Sequence, residues 1–136
     1  MPSIFSRIVS GDLPCYKVAE TENCLAFLDV FPLVEGHILV IPKKEVDNIF
    51  DLDDSLFAEL HQFSKKVAII QKEVIPCIRI GTAVIGLEVP HAHIHLLPLN
   101  QVDDINFSKP KLEIEHNDLA ILAKKLAEQY LKTYRN

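Results

Sequence analysis

The chain has 136 residues, 49% of them hydrophobic and 24% charged. That sets the expectation of one domain over residues 1–136 and excludes a core-poor disordered chain. A formal charge of −5 gives no global positive field for nucleic acid or anionic lipid. Cys15, Cys24 and Cys77 lack the density of a disulfide framework, and neither a secretory leader nor an 18-residue apolar run occurs, which reads as three reduced thiols in a cytoplasmic protein.

In chain order, Ile4, Phe5 and Ile8 recur at near-helical spacing before Gly11 and Pro14, predicting a short N-terminal helix. Residues 15–20, Cys24 to Asp29 and His37 to Ile41 are strand candidates. The last two are separated by a segment with Pro32 and Gly36, which suits an antiparallel pair. Leu56, Leu60, Phe63, Val67, Ile70 and Val74 mark one apolar face of a helix over 55–74, with Asp53 or Asp54 at its start and Pro76 after its end. Cys77 to Ile85 and Val89 to Leu99 read as strands joined near Gly86. After a polar stretch around 100–117, Leu119, Leu122, Leu126, Tyr130 and Tyr134 predict a C-terminal helix over about 117–134, capped by Asn117 or Asp118. Hairpin-joined strands with flanking helices make an α+β domain on an antiparallel sheet.

Three of six histidines fall within five residues, in Pro90-His91-Ala92-His93-Ile94-His95-Leu96-Leu97-Pro98. On a strand, alternate residues share a face, so the imidazoles are expected to project together while Ala92, Ile94 and Leu96 pack behind. One reading is a set of merely hydrogen-bonded polar residues. A second is a zinc site; the backbones of His91 and His95 would lie about 13 Å apart, so two of the three would bind with a further ligand such as His37. A third is nucleophilic catalysis at phosphorus, in which one neutral imidazole attacks and its neighbours bind phosphate oxygens and protonate the leaving group. Gly81 to Gly86 is not followed by Lys and Ser or Thr, and no G-x-S-x-G elbow occurs, which removes P-loop and serine-hydrolase readings.

The run His91-Ala-His93-Ile-His95-Leu-Leu97 resembles the signature of the histidine triad (HIT) family. The resemblance extends through Ile4 to Pro14, Leu25 to Pro32, Gly36 to Lys43 and Gly86 to His91, covering most of residues 4–99. It implies a half-barrel of antiparallel strands with helices and a homodimer. It also implies hydrolysis or transfer of nucleoside monophosphates from phosphoramidates, dinucleoside polyphosphates or related purine nucleotidyl conjugates, with no cofactor and no metal. By resemblance His93 is the nucleophile, His95 contacts the α-phosphate and assists the leaving group, and His91 and His37 fix ring orientation. Phe5, Ile8, Leu13 and Val30, with Ile4, match positions that enclose the base or ribose.

Leu25, Phe27 and Asp29 share one strand face, so an apolar slot would end in a carboxylate able to accept from ribose hydroxyls; the plain alternative for Asp29 is a turn-capping role before Pro32. Lys43 and Lys44 read as a solvated face. Around the Gly86 phosphate segment the chain departs from the family pattern. Leu87 stands where many members have Gln and Ile80 where they have Asn, which removes two polar phosphate contacts; Glu88 stands where they have Ser or Thr, and its carboxylate only accepts hydrogen bonds and would repel a phosphate if it pointed inward. Ser6 replaces the early Cys of members that bind structural zinc. The rival readings are a nucleotide-binding module with little turnover and a metal-dependent hydrolase.

Overall fold

The computed structural model describes residues 1–134. Helix α1 (Ile4–Val9) is capped by Ser3, whose Oγ accepts from the Ser6 N–H at 2.9 Å. Strands β1 (Lys17–Glu20), β2 (Cys24–Leu28) and β3 (Ile38–Pro42) follow. Helix α2 (Asp54–Val74) begins at the Asp53 cap, whose Oδ1 accepts from the Leu56 N–H at 2.7 Å. Then come β4 (Arg79–Ala83), β5 (Ile94–Leu99) and α3 (His116–Tyr134). All pairings are antiparallel, in the order β1-β2-β3-β5-β4. The result is an open α+β sheet, as the strand and helix patterns predict. Among the described residues no helix is long and apolar enough to cross a membrane.

Both faces of the central strands are covered, which is why β2 and β3 are buried at every position. On one face Ala26, Leu28, Ile38, Val40, Ile94 and Leu96 meet Leu60, Phe63, Val67 and Ile70 of α2 and Leu119 and Leu126 of α3. Gln71 fastens α2 to this face by donating from Nε2 to the carbonyls of Gly36 and Leu96, at 2.9 and 3.0 Å. On the other face Leu25, Phe27, Leu39 and Ile41 gather around Phe5 of α1. That smaller cluster underlies the site.

Two expectations change. α3 begins at His116, so Asn117 and Asp118 lie inside its first turn; Tyr16 Oη, 2.6 Å from His116 Nδ1, ties this end to the segment entering β1. The expected strand from Val89 starts only at Ile94, leaving residues 84–93 as an irregular connection and not a tight hairpin. Pro90 has no N–H to give a ladder, and Gly86 takes a left-handed φ of 72° that side chains oppose. The His91 N–H turns back to the Val89 carbonyl at 2.8 Å. His91 and His93 therefore precede the strand, although Ala92, Ile94 and Leu96 still enter the core as alternation requires.

Candidate active site

Between α1, the outer face of β2 and residues 85–89 lies a cavity of about 540 Å³, a size suited to a small-molecule ligand. Phe5, Ile8, Leu13, Phe27, Asp29, Val30, Gly86, Leu87 and Glu88 all line it, together with His37, His93 and His95. Ile4 joins the wall, while Leu25 lies in the apolar cluster beneath and not on the surface of the cavity. His91 does not line it.

The hydrogen bonds fix which nitrogen of each imidazole carries the proton. His93 Nδ1 lies 2.7 Å from the His91 carbonyl. A carbonyl only accepts, so Nδ1 holds the proton and neutral His93 presents a lone pair on Nε2. His37 Nδ1 accepts from the Leu33 N–H at 3.1 Å, so the proton of neutral His37 sits on Nε2 and is donated to His95 Nδ1 at 2.9 Å. His95 in turn carries its proton on Nε2. The chain of acceptors thus yields one imidazole with a free lone pair beside one with a free N–H, their ring centroids 5.0 Å apart.

Electrostatics keep His37 and His95 neutral. Burial, reinforced by the neighbouring His95, Lys111 and His93, pushes His37 down to about 3. Burial, with His93 and Lys111 adding to it, takes His95 to about 4. Asp29 Oδ2 lies 3.8 Å from His37 Nδ1, but that nitrogen already accepts from Leu33, so the two form no ion pair. Asp29 Oδ1 accepts from the Phe31 N–H at 2.9 Å, the turn-capping role, and Oδ2 is the oxygen left for the cavity. Burial raises the Asp29 carboxyl, with the Phe31 N–H and Lys111 working against it.

Behind the cavity, His91 is wholly buried and both ring nitrogens are engaged: Nε2–H donates to the Pro42 carbonyl at 2.8 Å, and Nδ1 lies 2.8 Å from Ser3 Oγ. Glu45 Oε1 accepts from the Ser3 N–H at 2.6 Å and from Ser6 Oγ at 2.7 Å. This network joins α1 to the carbonyl that orients His93. Because α1 carries Phe5, whose ring stands edge-on to His93 at 5.1 Å, one set of contacts sets both a cavity wall and the His93 ring.

The model of the HIT domain matches residues 10–102. This chain belongs to the HIT family. It is 33% identical over 131 residues to the adenosine 5'-monophosphoramidase of Schizosaccharomyces pombe, covering 95% of this chain and 98% of that one. A hypothetical histidine triad nucleotide-binding protein from Sulfolobus tokodaii shares its fold with a TM-score of 0.82 and 30% identity, covering 96% and 93% of the two chains. A zinc-bound histidine triad family protein from Mycobacterium smegmatis has a TM-score of 0.80 at 26% identity, covering 96% and 94%. At the level of the family the activity is that of nucleotide hydrolases.

Other residues of this HIT chain sit where the sequence did not suggest. Ile80 lies on β4 away from the cavity, packed against the core and α2, so its apolar character removes nothing from the chain's own site. Leu87 is 88% exposed at the cavity rim and is not core. Lys43 is no free solvated cation, since its Nζ pairs with Glu20 at 2.7 Å. Phe107 and Lys111, from the polar stretch after β5, line the cavity and went unsuspected, as did Phe31 and Cys15. The one signal for Phe107 was a lone aromatic among polar residues. Among the described residues no three His, Cys, Asp or Glu side chains are grouped to hold a metal ion.

Proposed function

We propose that this HIT protein, acting as one unit over residues 1–136, cleaves purine nucleotidyl conjugates through a covalent intermediate on His93 and releases a nucleoside monophosphate. The observation that carries the reading is the His93 Nδ1–H held on the His91 carbonyl, which leaves Nε2 as a nucleophile in the cavity. Nε2 attacks the α-phosphorus and the bond to the leaving nitrogen or oxygen breaks. The leaving group departs with a hydrogen bond from His95 Nε2–H, which neutral His95 keeps, and takes its proton from water. The resulting nucleotidyl imidazolium faces the His91 carbonyl, an oriented dipole where positive charge develops. Water then attacks phosphorus, the bond to His93 breaks, and the proton given up by that water neutralises the hydroxide left when the leaving group was protonated.

Apolar walls from Phe5, Ile8, Leu13 and Phe27 would enclose the base, and Asp29 Oδ2 would accept from ribose hydroxyls. The name of the S. pombe relative supports phosphoramidates as one substrate class. The test is AMP release from adenosine phosphoramidate and from diadenosine polyphosphate, with and without chelator. Binding without release would support the module reading; release abolished by chelator would establish the metal-dependent one. The module reading draws on the cavity rim, where Leu87 offers no hydrogen bond and Glu88 adds a carboxylate that only accepts.

Leu87→Gln tests that rim. With Leu87 so exposed, an amide there buries no unsatisfied polar atom, and the expected result is an unchanged Tm with kcat/KM for a phosphoramidate raised up to about tenfold, less than a fully preorganised donor supplies. Equal or lower activity in steady-state kinetics would show that phosphate is held by other groups. Asp29→Asn preserves the acceptor for the Phe31 N–H and changes only the cavity side. It should weaken a ribonucleotide by about tenfold and a 2',3'-dideoxy analogue far less, as read by calorimetry; equal losses would make Asp29 structural. We also propose a symmetric homodimer, supported by family resemblance and by the sheet edge at β4, just before which Ile78 is 66% exposed. Sedimentation at micromolar concentration should show twice the 15.4 kDa chain mass, and a monomer would oppose it.

A further inference from the structure

The residues lining the cavity include two carboxylates, Asp29 and Glu88, and among the described residues a single Lys or Arg, which is Lys111. His37 and His95 offer little positive charge, since the acceptor chain fixes them in neutral tautomers with ring protons already placed. A phosphate chain entering this cavity would therefore find one full cation. Lys111 is free to meet it, because it makes no ion pair within 4.0 Å among the described residues.

Its position within the cavity is defined. Phe107 packs edge-on against His95 at 4.9 Å and against His37 at 6.3 Å. Lys111 Nζ stands over the same Phe107 ring, 5.2 Å from its centroid, within the range of a cation–π contact. The Leu112 N–H donates to the Pro32 carbonyl at 2.8 Å, pinning the next residue to the β2–β3 connection. The cavity thus has two ends about the reacting pair. Phe5 flanks His93 on the side of the apolar slot, and Phe107 with Lys111 flanks His95, the hydrogen-bond donor to the leaving group.

We propose that Lys111 is a specificity-determining residue that binds phosphate on the leaving group, so that the site favours nucleotidyl conjugates with an anionic, phosphate-bearing leaving group over those that release an uncharged amine. The inference rests on the nucleotide-hydrolase reading above and assigns the leaving-group end of that same site. Phe107 holds the ammonium at the cavity wall, which lowers the ordering cost of a long flexible side chain. An ammonium on a phosphate is a charge-assisted contact, and its loss is felt only by substrates that carry that phosphate.

The test compares two substrates with the same AMP half, adenosine phosphoramidate and diadenosine triphosphate, in the full chain and in Lys111→Met and Lys111→Arg. In Lys111→Met the ratio of kcat/KM for the triphosphate to that for the phosphoramidate should fall by about tenfold or more, and Lys111→Arg should restore most of it. The triphosphate rate in the unaltered protein should also drop with added salt more steeply than the phosphoramidate rate. A ratio unchanged in Lys111→Met overturns the assignment, whether both rates hold or both fall together. AMP release from neither substrate by the unaltered protein overturns the hydrolase reading and the Lys111 assignment with it, an outcome distinct from an unchanged ratio.

Discussion

His93→Ala is expected to lower kcat for AMP release by at least about a thousandfold while nucleotide binding remains measurable. The substitution removes the attacking Nε2 and nothing else of the proposed chemistry: His95, its partner His37 and the apolar wall of Phe5 and Phe27 hold one another through contacts that bypass His93. Replacing a ring that is only 7% exposed with a methyl group opens space beside Phe5, so Tm should fall modestly and the nucleotide should still occupy its slot. Rapid-quench kinetics and mass spectrometry on the unaltered protein should show one nucleotidyl adduct on His93, absent from the variant. A variant that retains kcat within tenfold would exclude a covalent step at this residue and favour direct attack by water.

The parts of the site that could be read from the chain are those whose residues are neighbours in sequence. His91 to Leu97 are contiguous, and alternation alone sends Ala92, Ile94 and Leu96 to the core. Phe27 on β2 and Asp29 just past its end are two apart, and both line the cavity. Period counting failed where a tertiary contact decides. That β5 begins only at Ile94 depends on where pairing with Val40 stops, which no local pattern encodes.

The Ser3 and His91 contact spans 88 positions and the Glu45 contacts span 42 and 39, so the network that separates His91 from its two companions was invisible. Strict alternation put three imidazoles in one row. The fold instead keeps two in the cavity and turns the third into a support. Phe107 and Lys111 escaped for a related reason. Their segment has neither helical nor strand period, and it is held at the cavity by contacts distant in sequence, the backbone bond from Leu112 to Pro32 and the Phe107 ring against His95.

His37 provides the second large effect, because it acts on chemistry through the tautomer of another ring. In His37→Leu, His95 Nδ1 loses its donor, so the proton of His95 is free to sit on Nδ1 and the leaving group loses its hydrogen-bond donor. A loss of about 10- to 100-fold in kcat, with a smaller change in KM, is expected. His37→Gln places an amide N–H near the position of Nε2 and should recover a good part of that loss; both variants being equally impaired would mean that His37 matters for packing alone.

A pH measurement separates the two roles further. Burial lowers His37 from 6.5 to about 3 and His95 from 6.5 to about 4. Between those limits the unfolded chain binds more protons than the folded one. The neutral pair therefore leaves stability intact above pH 6.5, and stability is lost as pH falls from there through about 4 and about 3. Each histidine contributes at most about 1.4 kcal/mol per pH unit in that window. His37→Leu deletes one of the two buried groups. Urea unfolding followed from pH 7 to pH 4 should accordingly show a shallower decline for His37→Leu than for the unaltered chain. A parallel decline would show that His37 is not held neutral by the fold, and the proton placement on His95 that depends on it would fall as well.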